Sequence, residues 1–109
     1  MVSRRRVKLK IEPQAQRDLD ELQARNPAAT GWAIAAIHAA MARPQALEPK
    51  SKRLLGQWAV DFPVSADDKG NSGRVVVDFD GKTLSVVAVD DDHDRAYAKA
   101  KARTKPKKA

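Results

Sequence analysis

The chain contains no cysteine, which excludes a disulfide scaffold and a thiolate metal site together. No uninterrupted apolar run approaches the roughly 20 residues that a membrane span needs. Arg4-Arg5-Arg6 is followed by the charged Lys8 and Lys10, where a signal peptide would place its apolar core. A soluble, cytoplasmic protein without membrane contact is the expectation. Acidic residues are also missing from both ends. Residues 1–10 hold five basic groups and residues 99–109 hold six, with no acid in either stretch.

The net charge of +7 therefore conceals a division, because residues 11–98 set ten basic groups against all 14 acidic ones and carry −4. Basic ends of this kind attract phosphate backbones or an acidic partner; equally, they serve as solvated tails. The candidates for nucleic-acid contact are Arg4, Arg5, Arg6, Lys8 and Lys10 at the front. Lys50, Lys52 and Arg53 follow in mid-chain, then Lys99, Lys101 and Arg103 near the end. A length of 109 residues, 42% of them apolar, makes one domain with a modest core. We expect a basic N-terminal tail over 1–6, a domain over 7–103, and a basic disordered tail over 104–109.

Val7 to Ile11 alternates apolar and basic residues with period two, the pattern of a half-buried strand. Pro13 suits the first turn of a helix, where its missing N–H would be unpaired in any case. From Pro13 to about Arg25, Ala15, Leu19 and Leu22 recur at helical spacing while Asp18, Asp20 and Glu21 stand elsewhere. Asn26-Pro27 supplies an N-cap and a first-turn proline for a second helix, which Pro44 stops. Ile34, Ile37, His38 and Met41 share one face of it, and five alanines keep it slim. The two helices make an αα-hairpin, with His38 a structural or partly exposed residue.

The stretch from Gln57 to Tyr97 carries the densest pattern. Trp58, Val60, Phe62 and Val64 fall on one face of a strand, leaving Ala59 and Asp61 on the other; Pro63 ends it. The segment from Ser65 to Gly73 is polar and glycine-rich, the composition of a mobile loop. The next strand turns Val75, Val77 and Phe79 inward and sets Arg74, Val76 and Asp78 opposite. Asp80-Gly81 signals a hairpin, and Thr83 to Val89 returns as an apolar strand central to the sheet. Asp94 is placed to cap a short helix from Arg95 to about Arg103. Helices and strands in separate blocks argue an α+β fold with a mostly antiparallel sheet.

Taken together, these features resemble the RelE/ParE superfamily of toxins from type II toxin–antitoxin pairs. Pro13-Gln14-Ala15-Gln16-Arg17-Asp18-Leu19-Asp20-Glu21-Leu22 is similar to that family's P-x-A-x-x-D-L-x-x-L entry. Leu54-Leu55-Gly56-Gln57-Trp58 is similar to its L-x-G-x-W entry to the sheet, Gly73-Arg74-Val75-Val76-Val77 to its arginine-bearing strand, and Arg95-Ala96-Tyr97 to its closing arginine and tyrosine. The resemblance spans roughly residues 7–100. It implies a RelE-like fold: N-terminal strand, αα-hairpin, three-stranded antiparallel meander and short C-terminal helix.

It further implies a toxin that cuts messenger RNA on the ribosome without metal or cofactor, restrained by an antitoxin partner. In that chemistry a ribose 2′-hydroxyl attacks the adjacent phosphate, which calls for a base, cationic stabilisation and an acid. By the resemblance, Arg74 would clamp the phosphate, Tyr97 would stack on a base or assist proton transfer, His93 would be the acid–base, and Arg95 a second phosphate ligand. Asp61 and Asp78 share the face of Arg74 and offer it a purely structural ion pair instead. The chain departs from the family in placing Ala59 and Asp61 where lysines are common, and Asp90-Asp91-Asp92 where glycine and basic residues are common. Two alternatives follow: a ParE-like, non-enzymatic inhibitor of DNA gyrase, or a RelE-fold protein that has lost catalysis. Asp91, Asp92 and His93 would make only a weak site for a hard ion, so no metal is expected.

Overall fold

The computed structural model describes residues 7–43 and 57–104. Residues 1–6 and 105–109 of the tails, the connector bearing Lys50, Lys52 and Arg53, and the Leu54-Leu55-Gly56 entry lie outside them, whereas Thr104 caps the last helix and accepts from the Gln57 side chain at 2.8 Å. Along the chain run β1 (Lys8–Ile11), α1 (Pro13–Arg25), α2 (Pro27–Ala42), β2 (Trp58–Phe62), β3 (Gly73–Phe79), β4 (Thr83–Asp90) and α3 (His93–Arg103). The strands form one sheet in the order β1-β4-β3-β2, with β1 parallel to β4 and the other pairs antiparallel. The α+β architecture and the central place of β4 are as the sequence predicts.

Prolines set the helix starts. Glu12 is extended ahead of Pro13, and Asn26 accepts a hydrogen bond from the Ala29 amide at 3.2 Å before Pro27 begins α2. The Asn26 side-chain amide also donates to the Val64 carbonyl at 2.9 Å, which fastens the helix junction to the end of β2. On α1 the buried positions are Ala15, Asp18, Leu19 and Leu22, so the apolar stripe includes an aspartate that the pattern had placed elsewhere. On α2 the buried stripe is Ala29, Thr30, Ala33, Ile37 and Ala40, while Ile34 stands exposed at 42%. Small residues make up most of this stripe, with Ile37 the one large side chain among its buried positions.

The sheet divides the core in two. Phe62, Val75, Val77, Leu84, Val86 and Val89 pack beneath α1 and α2. Ala59, Val76, Val87 and Ala88 pack beneath Ala96, Tyr97 and Ala100 of α3. The strand faces read from alternation hold through β2 and β3. In β4 they change phase, because Val76 pairs with Ala88 but Val77 with Val86. Val87 is the extra residue of a β-bulge, and Val87 and Ala88 consequently face the same side. Unbroken alternation from Val86 would point Asp90 toward α1 and α2; the bulge instead gives it the face of its register partner Arg74.

Two turns owe their shape to aspartates. Asp80 accepts from the Lys82 and Thr83 amides, both at 2.8 Å, and Gly81 supplies the positive φ of 96°. Asp68 accepts from the Val64 amide at 3.0 Å, the Ser72 amide at 2.7 Å and the Ser72 hydroxyl at 3.0 Å, tying the Ser65–Gly73 loop across its neck. At the last helix the sequence reading needs correction. Asp92, not Asp94, is the N-cap and accepts from the Arg95 amide at 2.9 Å, so α3 starts two residues early and includes His93.

Glycines give a test of this packing. A Cβ on the exposed Gly31 would meet nothing within 4 Å, whereas one on Gly73 would lie 2.4 Å from the Phe62 ring. Denaturant unfolding is expected to show Gly31→Ala stabilised by about 0.5–1 kcal/mol and Gly73→Ala destabilised by about 1–3 kcal/mol. Equal effects would contradict the Phe62–Gly73 contact.

Candidate functional site

The site is built on an unfinished edge. β1 pairs with β4 only as far as Ile11 opposite Val86, and the Glu12 amide makes the last bond, to the Val86 carbonyl at 3.0 Å. Pro13 then turns the chain away into α1. The backbone groups of Val87 and Val89 on that side need other partners, and side chains provide them. Asp18 accepts from the Val89 amide at 3.0 Å, Arg103 donates to the Val87 carbonyl at 3.0 Å, and Lys99 reaches the Val89 carbonyl at 3.5 Å.

These three side chains also bind one another. Arg103 forks onto Asp18 at 2.7 and 3.1 Å, and Lys99 lies 3.3 Å from the same carboxylate and 2.7 Å from Asp90. Both carboxylates are only 3% exposed. Burial pushes the Asp18 carboxyl up, but the Arg103 fork, the Val89 amide and the Lys99 charge outweigh it and hold it below 3.8. Asp90 behaves likewise: burial opposes ionisation, bonds led by that from Lys99 override it, and the carboxyl falls to about 2.

The acidic run is accordingly not a bare negative surface. Asp90 also accepts from Arg95 at 3.1 Å and from the Asp92 amide at 3.0 Å. Asp91 meets Arg95 at 2.8 Å and Arg25 at 3.4 Å, and Asp92 caps α3. Arg95, a predicted phosphate ligand, therefore has its charge engaged by two aspartates although its side chain is 63% exposed. Lys99 and Arg103, expected to touch RNA, serve the Asp18 network. Lys8, Lys10 and Lys101 are exposed, and the other basic candidates fall outside the described residues.

Three predicted site residues do come together. α3 lies across the sheet so that Tyr97, 8% exposed, brings its hydroxyl to 3.3 Å from Nε of Arg74, which donates to it. His93, one helical turn earlier, sets its ring centroid 6.3 Å from that of Tyr97 at a tilt of 57°. Its Nδ1 lies 3.2 Å from Asp94, and the side chain is 48% exposed. Arg74 also donates to the Asn71 and Gly73 carbonyls. Asp61, its register partner on β2, is 3.2 Å away. Nε has a single hydrogen, directed to Tyr97, so Asp61 meets Arg74 by charge alone. Its Oδ1 is buried without a hydrogen-bond donor. Of the two counter-ions foreseen for Arg74, Asp61 is the one in contact.

Other concavities lie among the described residues. A cavity of about 500 Å³ at the C-terminal end of α3 is lined by Glu12, Gln57, Asp78 and Arg103, and a groove of about 320 Å³ exposes Leu9 and Ile34. Among the described residues no group of three or more histidine or acidic side chains is placed to hold a metal ion, and no helix is long and apolar enough to cross a membrane. The sequence reading missed Asp18 and Asp90 as organisers of the site. Asp18 was detectable, being three residues after Ala15 and four before Leu22 on the apolar stripe; the phase of Asp90 was not.

A scan against protein-family models, a search of curated proteins and a search of solved structures each return no match.

The buried carboxylates make a prediction about acid. Asp18 and Asp90 titrate lower in the folded protein than their ordinary value of 3.8. Their stabilisation is thus complete above that value and is lost as pH falls through about 4 toward 2. For Asp90 alone the linkage is worth about 2 kcal/mol. Urea titrations between pH 6 and 2 should show this loss in the wild type, and Asp90→Asn should flatten it. An unchanged acid limb in Asp90→Asn would contradict the assignment.

Proposed function

We propose that this chain is the toxin of a type II toxin–antitoxin pair on a RelE-like scaffold, acting in the cytoplasm as a ribosome-dependent endoribonuclease on messenger RNA. The observation that carries the reading is the contiguity of Arg74, Tyr97 and His93, residues of two separate elements, at the end of the sheet face where α3 begins. The succession of strand, helical hairpin, meander and closing helix supports the same reading.

In this chemistry Arg74 takes the scissile phosphate, since a guanidinium matches two phosphate oxygens. Tyr97, its ring buried beneath α3, holds the guanidinium in place through its hydroxyl, which accepts from Nε of Arg74. His93, its side chain exposed, protonates the departing 5′-oxygen. Exposed Lys8, Lys10 and Lys101 add salt-sensitive attraction to ribosomal RNA. An acidic antitoxin segment is the natural restraining partner of such a chain.

One observation favours a second reading. Arg74 is only 16% exposed and already beside Asp61, and Arg95 is engaged by Asp90 and Asp91. A phosphate must compete with these carboxylates, whereas a ParE-like inhibitor of DNA gyrase working by protein contact would need no free guanidinium.

Induced expression in bacteria, with primer extension on a translated reporter message, separates the two. Growth arrest with codon-phased cuts, reduced about a hundredfold or more in Arg74→Ala and in His93→Ala, is the expected result. Arrest without cuts would replace the ribonuclease with the gyrase-type inhibitor. No arrest would identify a scaffold that has lost its toxicity.

A further inference from the structure

We infer that Asp61 is the general base that takes the proton of the attacking 2′-hydroxyl, an assignment that rests on the ribonuclease reading above. The carboxylates around Arg74 are nearly all committed. Asp68 accepts three hydrogen bonds within its loop. Asp90 is buried and held by Lys99 and Arg95, Asp91 by Arg95 and Arg25, and Asp92 by the start of α3. Asp94 stands beside His93. None of these can accept a further proton without breaking the packing of α3 or its neighbouring loops, or drawing on the proposed acid.

Asp61 differs. It stands directly opposite Arg74 in the β2–β3 register, so a phosphate on that guanidinium lies next to its carboxylate. Its Oδ1 is buried 3.2 Å from Nε of Arg74 and receives no hydrogen bond. The side chain as a whole is 34% exposed, so Oδ2 is the oxygen that a substrate can reach. One oxygen is anchored by charge and the other is offered outward, which fixes the orientation of a base without saturating it. Neighbouring Ala59 is covered by α3, which leaves Asp61 as the acid–base group of β2 on this face.

The 2′-hydroxyl proton passes to Oδ2 of Asp61 while the 2′-oxygen forms a bond to phosphorus. The bond from phosphorus to the 5′-oxygen breaks, and that oxygen takes a proton from His93. A 2′,3′-cyclic phosphate and a 5′-hydroxyl end result, and the proton on Asp61 returns to solvent. Arg74 stays charged throughout. It positions the base in the free protein and stabilises the phosphorane during attack.

The test uses the full chain with programmed ribosomes, measuring KM and kcat for cleavage together with the melting temperature. Asp61→Asn is expected to lower kcat by about a hundredfold or more with KM and melting temperature close to wild type, and Asp61→Glu to restore part of the rate. An Asp61→Asn protein that cuts as fast as wild type, or binds message more tightly without losing rate, would overturn the assignment and leave Asp61 as the counter-ion of Arg74. Loss of melting temperature and substrate affinity in both Asp61→Asn and Asp61→Glu would overturn it in favour of a structural role. A wild-type protein that makes no cut would overturn the ribonuclease reading and the base with it, a result distinct from failure of the base alone.

Discussion

The carboxylate of Asp18 is the point on which the structure depends. Placing a charge on the buried stripe of a helix is costly unless every lone pair finds a donor. Here the donors are the Val89 amide, the Arg103 fork and Lys99. Each of them solves a problem of its own in meeting Asp18. The amide belongs to a strand edge that β1 leaves unpaired, and the two cations lie on a helix rich in alanine, whose apolar contact with the sheet is small. Removal of one partner from a buried arrangement of this kind typically costs about 3–5 kcal/mol, mainly because the others are left unmatched.

What Asp18 holds in place is the seat of α3, and through α3 the candidate site. Tyr97 reaches Arg74, with His93 beside Tyr97, only because the helix lies across β3 and β4 at this height. The acidic run contributes at its other end, where Asp92 caps the helix and Asp90 and Asp91 hold Arg95. A stretch that reads in sequence as a barrier to RNA thus performs an internal task, matched by Arg25, Arg95 and Lys99. The cost of this arrangement is that few guanidinium groups near the site are uncommitted. Arg74 remains the best placed to exchange its carboxylate neighbour for a phosphate.

Much of this fold was legible in the chain. Pro13, Asn26 and Pro27 mark both helix starts, and period-two alternation assigns the faces of β2 and β3, which is why Arg74 and Asp61 could be placed together in advance. The failures share a cause: local pattern does not report what happens at an edge. Alternation predicts one phase along β4, but the bulge at Val87 reverses it and sends Asp90 to the site. Asp92 and Asp94 are both good N-caps, and only the seat of the helix distinguishes them. Ile34 looks like core because it is apolar, yet the stripe that α2 turns to the sheet runs through Ala33 and Ile37. Asp18 looks like surface because it is charged, although its spacing from Ala15 and Leu22 puts it on the buried stripe; what the sequence does not show is the Val89 amide and the two cations that meet it. The contiguity of Arg74, Tyr97 and His93 follows from the packing of α3, which no spacing in the sequence specifies.

The central claim, that Asp18 closes the β4 edge and thereby seats α3, is most directly tested by native-state hydrogen exchange. In the wild type the Val89 amide should exchange as slowly as the amides in the middle of β4. In Asp18→Ala the Val89 amide and those of Ala96, Tyr97 and Ala100 should all lose protection together, while the paired amides of β2 and β3 keep theirs. A Val89 amide that exchanges rapidly in the wild type, or an α3 that keeps its protection once Asp18 is gone, would contradict the account.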